Sequence, residues 1–144
     1  MTLQTFRRGC FEEYHKALKT GCAIEQRRLA DAAGLTALLG FLAPLAVRLL
    51  HLRETARRAP ETPAAAAVPE PLLVALARLR RRPLPTPLTV RDFWRETAKL
   101  GGFLGRNSDG EPGWQTLWHG VLRLLDAAQV LDPPPQTSTQ VNCG

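Results

Sequence analysis

The chain has 144 residues, 44% of them apolar, with a formal charge of +6 and an isoelectric point near 10.0. That apolar share excludes a chain disordered by composition, and the length fits one domain or two small pieces. The charge suits nucleic acid or another polyanion as partner no better than it suits a plain solvated surface, and it is silent about fold.

Phe6, Cys10, Phe11, Tyr14, Ala17 and Leu18 recur at helical spacing and predict a helix over 6–20, with Gly21 as its stop. Its other face carries Arg8, Glu12, His15, Lys16 and Lys19, a carboxylate among cations. Two readings stay open. One is a solvent face whose ion pairs contribute ~0.3–0.5 kcal/mol each. The other is a metal-binding carboxylate flanked by phosphate-holding cations, which needs further carboxylates because hard divalent cations take several oxygen ligands.

Residues 21–29 read as a connector, and Asp31 as the N-cap of the next helix. Leu35, Leu38, Leu39, Leu42, Ala46, Leu49 and Leu50 then follow an i, i+3, i+4, i+7 pattern. Phe41, Leu45 and Leu52 widen the stripe, so this helix is expected to be buried on more than one side or to need a missing partner. Pro44 is expected to kink it, and Arg48, Arg53, Arg57 and Arg58 suit the negative end of its dipole.

Residues 60–71, PETPAAAAVPEP, read as a linker with little to offer a core. A short helix over 72–79 follows, and Arg78, Arg80, Arg81 and Arg82 form a polyanion-binding candidate or a solvated loop. Thr89 with Asp92 predicts a capping box, and Val90, Phe93, Trp94, Ala98 and Leu100 a buried stripe that Gly101 ends. A glycine-rich loop leads to Pro112, expected in the first turn of the last helix. There Trp114, Leu117, Trp118, Val121, Leu122 and Leu125 share a face until Pro133, Pro134 and Pro135 end the helix before a polar tail.

The glycine loop follows a helix and lacks a Gly-Lys-Ser/Thr ending, so it is not a nucleotide site. His15, His51 and His119 have no zinc spacing, and no nucleophilic triad is recognisable. Cys10, Cys22 and Cys143 are odd in number and scattered, against a disulfide framework. The opening residues lack signal-peptide character, and the longest apolar run, 37–47, is shorter than the ~20 residues that cross a bilayer. A cytoplasmic protein without a membrane span is therefore expected.

Two stretches in this order resemble one family, the cut-and-paste DDE transposases of the insertion-sequence-four group, typified by the transposase of transposon five. Arg8, Glu12 and Lys19, within FEEYHKALKTGCAIEQRRL and its upstream turn, match a family motif of Tyr, Arg, Glu and Lys in one helix, with Thr5 in place of the Tyr. LGFLAPLAVRLLHLRE resembles the last long helix of the catalytic domain, and LGGFLGRNSDGEPGWQTLWHGVLRLLD the C-terminal dimerisation module.

The resemblance implies that Glu12 is the third metal-binding acid beside two aspartates on strands of an RNase H-like fold. It likewise implies that Arg8 and Lys19 contact transposon-end phosphates, and that intact relatives use Mg. No strand pattern for those aspartates occurs here. The expectation is thus an all-α chain: residues 1–58 as the end of a truncated catalytic domain, 59–71 as linker, 72–131 as a helical dimerisation module and 132–144 as a disordered tail. It is expected to be no enzyme and to hold no cofactor. Its expected roles are in DNA binding and in homodimers, or mixed dimers with a full-length transposase, through Trp114, Leu117, Trp118 and Val121. The alternatives are an active metal-dependent strand-transfer enzyme working as a homo-oligomer, and a non-catalytic basic DNA-binding protein.

Overall fold

The fold, a computed structural model, is described for residues 3–21, 31–106 and 108–131. It consists of helices α1 (Leu3–Lys16), α2 (Ala32–Arg58), α3 (Glu70–Leu79), α4 (Val90–Leu100) and α5 (Trp114–Leu131), with a π-helical turn Ala17–Gly21 after α1 and a 3₁₀ turn Ala64–Ala66 before α3. Among the described residues there is no strand, only an isolated bridge between Pro63 and Thr89. The all-α expectation holds. The expected connector after Gly21 and the tail from 132 lie outside the described residues.

Local chemistry sets the helix starts. Asp31 caps α2 by accepting from the Gly34 N–H at 2.7 Å. Thr89 Oγ1 accepts from the Asp92 N–H at 3.1 Å while the Asp92 carboxylate accepts from the Thr89 N–H at 3.3 Å, the reciprocal box expected for α4. Pro69 stands at the cap of α3 and Pro71 in its first turn, so the helix starts two residues before the expected 72; proline costs nothing where no intrahelical N–H bond is made. The last helix begins at Trp114 rather than around Pro112, with Gly113 O accepting from the Thr116 hydroxyl.

One buried cluster joins Ala17 and Leu18 to Leu42, Ala46 and Leu49 of α2 and to Trp94, Trp114, Leu117, Trp118 and Val121 of α4 and α5. A second gathers Ala64, Val68, Ala75, Leu76, Phe93 and Leu124. These clusters reach across two of the expected boundaries. Residues expected to belong to separate pieces, before 58 and after 72, share a core. The expected linker also contributes to packing: Ala64 is 1% and Val68 5% exposed, and the Ala64 and Val90 N–H groups donate to Leu88 O and Thr62 O. Alanine is small enough to sit beneath neighbouring helices, so a proline and alanine composition does not by itself mark free chain.

Trp114, Leu117, Trp118 and Val121, expected at a dimer interface, are between 1% and 7% exposed within one chain. Their face is covered by α2, α4 and the turn after α1, which removes the apolar surface that motivated the expectation. Pro44 lies inside a continuous α2. Leu35, Leu39, Phe41 and Val47 of that helix are 38–60% exposed, so its wide stripe is covered on one side only. By length and composition α2 could cross a membrane, though Leu42, Ala46 and Leu49 face the shared core.

Candidate functional site

The motif residues sit on and after α1. Arg8 lies on the helix, its side chain outside the described ones, and Glu12 is exposed. Lys19, also exposed, follows on the π-helical turn. That turn, with Ala17 2% and Leu18 8% exposed, was not foreseen. It winds more residues per turn than an α-helix, so Lys19 does not continue the straight stripe that regular spacing implied.

The Mg expected of intact relatives does not fit the described residues. Hard divalent cations take several oxygen ligands, and among those residues no group of three or more His, Cys, Asp and Glu could hold a metal.

The carboxylate with a built environment is Glu13, which the sequence reading passed over. Its Oε2 accepts the Arg53 guanidinium of α2 and, at 3.0 Å, the indole N–H of Trp114 in α5. The same guanidinium lies 5.0 Å above the Trp114 ring, and Trp114 meets Trp94 edge to face at 6.1 Å. Burial pushes the Glu13 carboxyl up, but the Trp114 hydrogen bond, the Arg53 bond and charge, and the Lys16 charge outweigh it and hold the group below its ordinary 4.5. A carboxyl whose folded pKa is depressed stabilises the fold above its unfolded pKa and loses that contribution as pH falls through the folded value. Thermal unfolding midpoints should therefore drop as pH falls below 4.5, and Glu13→Gln should flatten that drop. Equal pH slopes in parent and variant would count against the assignment.

The arginine cluster divides. Arg80 Nε lies 2.7 Å from Glu96, which also binds Lys99 at 2.6 Å, so Arg80 braces α3 against α4. Arg78, Arg81 and Arg82 are exposed. Arg91 and Arg95 face Glu111 across the glycine loop at 3.8 and 3.6 Å.

At the far end of α5 from that loop, Glu70, Pro71, Val74 and Leu131 line an open groove between the start of α3 and the end of α5. Val74 is 40%, Leu131 41% and the adjacent Val130 81% exposed. Residues 44–131 match the family described as Transposase Tn5 dimerisation domain. The match starts inside α2 and ends with α5, leaving α1 outside.

Proposed function

Because the chain belongs to the Transposase Tn5 dimerisation domain family, we propose that it is a transposition-related module that pairs with a second copy of itself, or with a full-length relative, and does not itself cut DNA. The observation that carries this reading is the family match over residues 44–131; within it, the exposed apolar side chains of Val74 on α3 and of Val130 and Leu131 at the end of α5 are the contact surface proposed. This surface, rather than the Trp114 face that is buried within one chain, is the one proposed for self-association. Glu12 stands exposed, and among the described residues no ligand set surrounds it. Residues 1–58 are read, through the resemblance of Arg8, Glu12 and Lys19 to the family motif, as the end of a catalytic domain. The setting proposed is the cytoplasm, with α2 as a packing helix.

The double variant Val130→Asp, Leu131→Asp tests the surface. It is expected to remove self-association while leaving helix content and unfolding midpoint near parent values, because both side chains already face solvent. Undiminished self-association would exclude this groove.

DNA binding is the second part of the proposal, carried by exposed Arg78, Arg81 and Arg82 and by Lys16 and Lys19. Contacts of this kind release counterions, so affinity should fall steeply with salt. A flat salt dependence would rule the contacts out.

A further inference from the structure

The carboxylate of Glu13 joins the matched domain to the helix preceding it. The described side chains of α1 give it little apolar attachment: Phe11 is 66% exposed, Glu12, His15 and Lys16 are exposed, and among them Tyr14 packs against the core. The polar attachment is concentrated. One oxygen of Glu13 takes both the Arg53 guanidinium and the Trp114 N–H, so a single group on α1 reaches α2 and α5 together. Should Glu13 leave, Arg53 keeps the face of Trp114 as a partner, and the two can stay packed without it.

We propose that Glu13 is a latch: it holds α1 against the dimerisation domain, and its release frees α1 as a unit while α2, α4 and α5 remain folded. The latch also sets direction. Successive side chains of a 3.6-residue turn diverge by about 100°, so anchoring Glu13 inward turns its neighbour Glu12 outward, where it is found. The charged stripe is thus presented or withdrawn through a residue that is not part of the stripe. The inference rests on contacts within one chain and stands whether or not the chain self-associates or binds DNA.

Peptide-resolved hydrogen exchange on the full chain tests it. Glu13→Gln keeps the side-chain volume and removes the charge; Arg53→Gln removes the other half of the ion pair. Each is expected to speed amide exchange in α1 by about tenfold, as loss of a charge-assisted bond implies, with α4 and α5 exchanging at parent rates. The double variant should exceed the larger single effect by little, since both act on one interaction. Glu111→Gln, which removes the carboxylate facing Arg91 and Arg95 instead, should leave α1 unchanged. Parent-like exchange of α1 in Glu13→Gln, equal acceleration across α1, α4 and α5, or loosening of α1 in Glu111→Gln would each overturn the latch.

Discussion

Gly120→Ala is expected to destabilise the chain by about 3 kcal/mol or more, at the top of the usual range for overpacking. A Cβ on Gly120 would lie 1.9 Å from the Thr97 carbonyl oxygen and 2.8 Å from its carbon. The seam is reciprocal: a Cβ on Gly101 would lie 1.7 Å from Thr116 O and 2.7 Å from the Gly120 nitrogen. These obstacles are backbone atoms, so no rotamer change relieves them and α4 and α5 must separate. Separation would disturb Val90, Trp94 and Ala98 on one side and Leu117, Trp118 and Val121 on the other, which share a core cluster. Urea unfolding followed by circular dichroism checks this, and a cost under about 0.5 kcal/mol, that of an ordinary surface change, would show that the helices do not approach so closely.

Trp118→Ala is expected to cost about 3–5 kcal/mol, the range for deleting a large buried aromatic side chain. The ring is 4% exposed and belongs to the core joining α2, α4 and α5. An interface residue would behave otherwise, weakening self-association and leaving the separated chain intact. The concentration dependence therefore separates the two roles. Unfolding midpoints of Trp118→Ala should be low at every protein concentration; a variant with the parent's stability when dilute would return Trp118 to an interface.

What was legible in the sequence was what depends on near neighbours. The Asp31 cap and the Thr89–Asp92 box act over three residues, and the apolar spacing of α4 and α5 correctly marked Val90, Phe93, Trp94, Ala98, Trp114, Leu117, Trp118 and Val121 as a face to be covered. Periodicity does not say which surface covers it. For Trp114 and Trp118 the cover came from the same chain, through Leu42, Ala46 and Leu49.

Other features depended on contacts that no local pattern carries. Gly101 reads as a helix end, which it is, yet its φ of −88° is open to any residue; glycine is required there by the approach of α5. Gly120 sits in mid-helix, where a glycine costs helix stability, and that cost was the available clue to a close approach. Leu124 and Thr97, both 1% exposed, fell outside the stripes first drawn. Glu13 stands beside the motif acid Glu12, but its partners are 40 and 101 residues away. Ala64 and Val68 were concealed by their setting among prolines, since composition reports flexibility and not fit.

Sedimentation equilibrium of the unaltered chain tests the central claim most directly. A self-associating module should pass from 15.9 kDa towards twice that mass with rising concentration, over roughly the micromolar range where a modest interface saturates. A folded chain that keeps its single-chain mass up to several hundred micromolar, about the weakest affinity such an interface could have, would contradict the account.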